Sequence, residues 1–304
     1  MATFTITHTV AYDYGSPAGT TGTYLPPPQA TNATLDDGEA DTFFEIGDTV
    51  TLAGVTYSYQ GKVLIDGTEF PIFNYVDSNP FQFRLVMMDQ EPVSPPASLP
   101  DSAIDSGDYN TVCFAAGTRI ATARGEQTVD SLSIGDLVLT QDGDLVPVKW
   151  VGRQTRLTGF SGGGLQPVCI AAGALGGGLP HSDLTVTADH GMILDGVVIN
   201  ASALVNGSTI CFVPLAELED RITVYHVETE GHEIILANGA PSETFIDYRD
   251  RRAFDNFQEY VDLYGCERII PEMTRPRISS ARLLPEAIRD RLKSPADDEL
   301  VLSA

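Results

Sequence analysis

Short runs of alternating apolar and polar residues, separated by turn dipeptides, recur along this 304-residue chain and constrain its fold more than any other feature. A repeat of two is the strand period, whereas a core-facing helix needs a repeat near 3.6. ATFTITHTV (2–10), the runs within 49–75, FQFRLVMM (81–88), Ala115–Arg124, Leu137–Trp150, LTVTADHGMILDGVVINA and VYHVETEGHEIILANG all read as strands. Asp66-Gly67, Asp142-Gly143 and Asp195-Gly196 lie between such runs, and Asp-Gly supplies the positive φ angles of a two-residue hairpin. Helical spacing of Phe, Leu and Tyr is confined to Glu243–Leu263 and Leu284–Lys293. The expected fold class is all-β: a small N-terminal β domain, a second β domain, and a short helical C-terminal tail. Alternating βαβ units are missing, which argues against a nucleotide-binding parallel sheet. GGGL and GGGLP lack the flanking pattern of a phosphate-cradling loop.

Composition shifts mark the domains. QEPVSPPASLPDSAIDSGDYNT is rich in Pro, Ser and Asp and reads as a linker. The division expected is an acidic β-rich domain over 1–89, a linker over 90–112, a second domain over 113–246 and an extension over 247–304. The net charge of −24, with only 18 Lys and Arg, excludes the basic surface that nucleic acid needs. The acidity is uneven: Lys62 and Arg84 are the basic residues before Cys113, whereas Arg249, Arg251, Arg252, Arg268, Arg275, Arg277, Arg282, Arg289 and Arg291 gather near the end. No apolar run is long enough to span a membrane, and MATFTITHTV lacks the features of a classical signal peptide. The closing DDELVLSA is compatible with a secreted or cell-surface location reached through a C-terminal signal, the other expectation being the cytoplasm. Asp36, Asp37, Glu39 and Asp41 lack the spacing of a Ca²⁺ loop and read as a solvated acidic loop. Four cysteines without CxxC spacing make neither a disulfide scaffold nor a zinc site, so no metal and no cofactor is expected. Cys169, Cys211 and Cys266 read as small buried hydrophobes.

Cys113 stands where the linker ends and a compact β region begins, with histidine-bearing segments far downstream. A thiol with a distant histidine is the general Cys/His nucleophile pattern. On spacing alone, a buried cysteine and core histidines bonded to backbone account for it better. The full set of motifs points elsewhere. CFAAGTRIATARGEQTVDSLSIGDLVLTQDG, then TADH (187–190), then VYHVETEGHEIILANG occur in that order. Together they resemble the Hint (hedgehog/intein) family over about residues 113–246, especially bacterial Hint proteins that keep only the N-terminal half-reaction. The resemblance implies a horseshoe-shaped β domain and autocatalytic, single-turnover cleavage between Val112 and Cys113. In that chemistry Cys113 attacks the Val112 carbonyl in an N-to-S acyl shift, His190 is the general acid at the departing nitrogen, and Thr187 orients the scissile peptide. His226 stands where many members carry Asp; it could take the thiol proton, activate water, or be a strand residue facing solvent. His232 matches the late-motif histidine and could brace the site. His8 and His181 have no supporting context and read as surface residues.

The sequence also departs from its relatives. Inteins end in His-Asn followed by Cys, Ser or Thr, but Asn238-Gly239 is followed by Ala240-Pro241-Ser242-Glu243, so full splicing is not expected. The polar, Arg-rich tail is a poor match to a sterol-binding extension, which leaves water or a small nucleophile as the acyl acceptor. Val112 is β-branched, so its acyl carbon is crowded and release should be slow. Three rival readings stand beside this one: a non-catalytic Hint-like module with a structural, adhesive or secreted role, a Cys/His peptidase or transferase acting in trans, and an acidic Ca²⁺-binding protein.

Overall fold

The structure is a computed structural model that describes residues 3–14, 21–36, 44, 48–65, 68–75, 83–92, 94–104, 112–158, 166–246 and 251–293. The chain divides into two compact units. The first comprises Met1–Tyr109, Thr155–Gly164 and Leu215–Ile222, and the second Asn110–Gln154, Leu165–Pro214 and Thr223–Ala304.

The first unit is built on a seven-stranded sheet in the order Thr49–Leu52, Val55–Ile65, Thr68–Tyr75, Phe83–Met88, Thr3–Asp13, Thr21–Asp36, Ser98–Pro100. Every pairing described in it is antiparallel. Apolar residues cluster on both faces. Phe4 and Ile6 pack with Phe73 and Met87, whereas Val10 and Tyr12 pack with Ile72, Val86 and Met88. Strict alternation would put Ile6 and Val10 on one face. They separate because the register with Thr21–Asp36 slips by one residue between Ile6 and His8, and a slip of one residue exchanges faces. Ser98–Pro100, inside the segment read as a linker, pairs with Thr21–Thr23. The Asp66-Gly67 turn lies outside the described residues; its flanking strands pair with Ile65 opposite Thr68. Of the acidic loop only Asp36 is described, and it ends a strand.

The second unit has two sheets. One runs Leu145–Pro147, Leu137–Leu139, Arg119–Thr122, Ile234–Ala237, Ala240–Glu243, Gly191–Leu194, Val197–Asn200, Arg277–Ile278, with Gly125–Thr128 added on Arg119–Thr122. The other, within this unit, runs 150–154, 223–228, Phe114–Ala115, Leu184–Val186, Val168–Ile170, Ile210–Phe212. One apolar cluster, including Phe114, Ile120, Val138, Val186, Met192 and Ile235, fills the space they enclose. Asp195 (φ 49°) and Gly196 (φ 80°) make the hairpin that Asp-Gly predicts. The all-β expectation is met.

The tail differs in detail. The helix expected over Glu243–Leu263 begins only at Phe257 and ends at Tyr264. Glu243 instead closes a strand opposite Ile234, and the Phe245 N–H donates to the Val227 carbonyl at 2.9 Å, so sheet pairing overrides the spaced aromatics. The second expected helix shortens to Glu286–Arg291, after Pro285. The arginines of the tail dock it onto acidic residues of the second unit. Arg251 Nε donates to Glu228 Oε2 at 2.8 Å, Arg268 Nη1 donates to Glu230 Oε1 at 2.7 Å, and Arg291 pairs with Asp195. Trp150 takes Phe254 and Tyr260 edge-on at centroid separations of 5.3 and 5.4 Å. No helix of the described residues is long and apolar enough to cross a membrane.

Candidate functional site

Cys113 enters the six-stranded sheet at its middle. Phe114 pairs with Tyr225 on one side and with Val186 on the other. Continued by one residue, those registers set Cys113 opposite His226 and Thr187. The Thr187 side is explicit: its N–H donates to the Cys113 carbonyl at 2.9 Å, and its Oγ1 accepts the Cys113 N–H at 2.8 Å. That amide joins Val112 to Cys113. Val112 and Cys113 are both buried, at 2% and 0% exposure. Cys169 and Cys211, expected to be buried, are only partly so, and Cys266 is exposed. Cys113 alone combines a sheet-centre position with complete burial.

His190 follows Thr187 by three residues across a tight turn in which the His190 N–H donates to the Thr187 carbonyl at 3.0 Å. The ring is fully buried, lies 4.2 Å from the Phe114 ring centroid, and has no hydrogen-bond partner for either nitrogen among the described residues. Burial is the main force pushing its pKa down to about 4; the negative charge of Glu243 opposes that shift, while Arg277 and His232 add to it. A buried imidazole with both nitrogens unpaired is costly to keep.

The other two histidines lie on either side. His226 is buried rather than solvent-facing; its ring stands edge-on to His190 at 5.9 Å and stacks on Phe254 at 6.5 Å. His232 Nδ1 accepts the Met273 N–H at 3.1 Å, which leaves Nε2 as the protonated nitrogen of the neutral ring, directed at Glu243 Oε2 3.2 Å away. His8 contacts Thr7 in the first unit, and exposed His181 meets Glu126, so neither belongs to this group. Among the described residues no group of His, Cys, Asp and Glu has metal-binding geometry.

Sequence reasoning missed the carboxylate of the site. Glu243 is completely buried and accepts the Gly191 N–H at 2.6 Å, and Arg277 donates to its Oε2. Burial pushes the carboxyl up, yet the hydrogen bond from His232 and the charges of His190 and Arg277 together hold it down at about 2. Flanked by Ser242 and Thr244, Glu243 carries no local signal that singles it out.

Residues 112–249 match the family model described as "Hint domain". The chain carries a Hint domain. No curated protein sequence matches this chain. Three solved structures are similar to part of this chain. The MchDnaB-1 intein is 18% identical, covers 43% of this chain and 99% of its own, with a TM-score of 0.32. The gp41-1 intein is 16% identical, covering 43% of this chain and 96% of its own at a TM-score of 0.30. A DnaB intein from Synechocystis sp. PCC 6803 is 15% identical, covering 44% and 99% at 0.30. The Hint-domain match supports self-processing as the general capability of the chain.

Proposed function

We propose that the chain cuts its own backbone at Val112–Cys113 and performs only the N-terminal half of the Hint reaction. The Cys113 sulfur attacks the Val112 carbonyl carbon. A carbon–sulfur bond forms, the carbon–nitrogen bond breaks, and the thiol proton ends on the freed Cys113 amine. Residues 1–112 are then held as a thioester.

The observation that carries this reading is the hydrogen bond from the Cys113 N–H to Thr187 Oγ1, beside a buried His190 whose nitrogens have no partner among the described residues. That bond fixes the orientation of the one amide to be cleaved, which is the positioning such a reaction requires. With a pKa near 4, His190 is uncharged at pH 7 and holds no spare proton to give. It therefore acts as a shuttle, accepting the thiol proton as sulfur adds and passing it to the nitrogen as the amide collapses. An ordinary thiol holds its proton far more tightly than such an imidazole accepts it, so transfer accompanies attack. His226 is the alternative acceptor of that proton, and His232 braces the site.

Release follows by water or a small nucleophile. Val112 and Cys113 are buried, so the acceptor reaches the acyl carbon only when the site opens, and the thioester should be long-lived. The same burial disfavours a peptidase working on foreign substrates. It also favours the chief rival, an inert Hint-like module, and experiment separates the two. Intact mass of the full chain is followed with and without dithiothreitol, for wild type and Cys113→Ala. Thiol-accelerated appearance of fragments 1–112 and 113–304 in wild type alone supports self-cleavage. A single unchanged mass in both supports the inert module.

A further inference from the structure

The match to the Hint family ends at residue 249, yet the chain beyond it returns to the site. Arg277–Ile278 pairs in parallel with Val197–Asn200, with Arg277 opposite Val198. From there the Arg277 guanidinium forks. Nη1 donates to Asn200 Oδ1 at 3.0 Å, and Nη2 donates to Glu243 Oε2. Both branches end beside His190. Asn200 Nδ2 donates to Asp189 Oδ1 at 3.0 Å, the residue before His190, while Glu243 Oε1 accepts the N–H of Gly191, the residue after it, at 2.6 Å.

The carboxylate is seated tightly. A methyl group on Gly191 would fall 2.6 Å from Glu243 Oε1 and 2.5 Å from Val198 Cγ1, so only glycine admits the carboxylate this close to the backbone. The same segment supplies the Met273 N–H that sets the His232 tautomer and so directs a second donor at Glu243.

Resting on the self-cleavage reading, we propose that Arg277 is a positioning residue for that reaction: it seats the Glu243 carboxylate under Gly191 and, through Asn200 and Asp189, fixes where His190 stands. A buried carboxylate needs a counter-charge and filled hydrogen bonds to stay ionised. His190 is neutral at pH 7, so Arg277 is the standing cation at Glu243. A fork that bonds two acceptors at set angles is a property of guanidinium and not of an ammonium group. Without it, the carboxylate is undercompensated, and the backbone on both sides of His190 loses its fixed partners. A shift of about 1 Å in a reacting group can lower a rate by as much as 10²-fold.

Among the described residues, the charged and titratable groups around His190 are Glu243, Arg277, His232, His226, Asp189 and the Cys113 thiol beside the Phe114 that packs on the ring, with Glu272 4.0 Å from Arg277. Arg277 pushes the His190 titration down and Glu243 pulls it up, so the two partners give opposite signatures. Arg277→Met should raise the midpoint and Glu243→Gln should lower it. A merely structural role moves neither in this pattern.

The test uses the full chain with Arg277→Met, Arg277→Lys and Glu243→Gln. Self-cleavage is timed by intact mass across pH, and the His190 imidazole is titrated by NMR in a Cys113→Ala background. We expect Arg277→Met to slow cleavage by about tenfold or more and to raise the His190 midpoint. Arg277→Lys keeps the charge but not the fork, so it should recover the midpoint more fully than the rate; it also serves as the folded control if the Met variant loses structure. A wild-type rate in Arg277→Met, or an unmoved midpoint, overturns the proposal. If wild type itself fails to cleave, the self-cleavage reading falls, and the midpoint in the Cys113→Ala chain still decides whether Arg277 acts on His190.

Discussion

Each unit of this molecule buries polar groups, and one buried group of each makes a sharp contrast. In the first, Glu69 is 1% exposed and meets Arg156 Nη1 at 2.6 Å, the Leu157 N–H at 3.2 Å and Lys62 Nζ at 3.9 Å. The carboxylate there is surrounded by donors. In the second, His190 is as deeply buried, and neither ring nitrogen has a partner among the described residues. Burying a paired charge can hold a structure in register, and removing one partner is then expensive. Burying an unpaired imidazole stabilises nothing. Such a group persists where chemistry requires a proton acceptor kept out of water. On the proposed reading, the first cluster is scaffolding and the second is kept for catalysis.

The sharpest way to break that contrast is His190→Leu. If the ring is kept for chemistry, an apolar side chain of similar volume should lower self-cleavage by about 10²–10⁴-fold while Tm holds or rises, as read by intact mass and thermal melting. A large fall in Tm would move His190 into the scaffolding class. Glu69→Ala is the mirror experiment. It removes the carboxylate that Arg156 and Lys62 meet, so the first unit should lose about 3–5 kcal/mol in chemical denaturation, with the cleavage rate nearly unchanged.

A smaller effect comes from pH. The folded pKa of His190 is about 4 against 6.5 in the open chain, so the unfolded state binds the proton more readily between those values. The stability gained by keeping the ring neutral is complete above pH 6.5 and lost as pH falls towards 4, about 3 kcal/mol in all. Glu243, depressed to about 2, destabilises the fold in the same direction at still lower pH. Denaturation of the Cys113→Ala chain at pH 7 and pH 4.5 should show this loss, and His190→Leu should flatten it. The smallest effect expected is at the acyl side. Val112→Gly removes the β-branch and should speed thioester release severalfold, measured as fragment accumulation; equal rates would show that crowding at this carbon is not limiting.

Much of this was legible in local patterns. Alternation gave the strands, Asp195-Gly196 gave its hairpin, and the spacing within TADH brought Thr187 and His190 to one end of one strand. What escaped were features whose meaning lies in another part of the chain. Glu243 reads as the start of a helix until the sheet claims it. Arg277 is one of nine arginines late in the sequence, and only the fold shows that the strand it belongs to returns to Asn200 and Glu243. The uneven distribution of arginines did hold a clue, since an arginine-rich tail on an acidic body has carboxylates to dock on. Burial is likewise invisible in a linear pattern, which is why Cys169 and Cys211 were expected to be buried and only Cys113 is.

Hydroxylamine gives the most direct test of the central claim, because it attacks a thioester far faster than an amide. Treated wild-type chain is predicted to release residues 1–112 carrying a hydroxamate on the Val112 carbonyl, together with a fragment beginning at Cys113, while the Cys113→Ala chain stays whole. An intact wild-type chain, or the same fragments from Cys113→Ala, would contradict it.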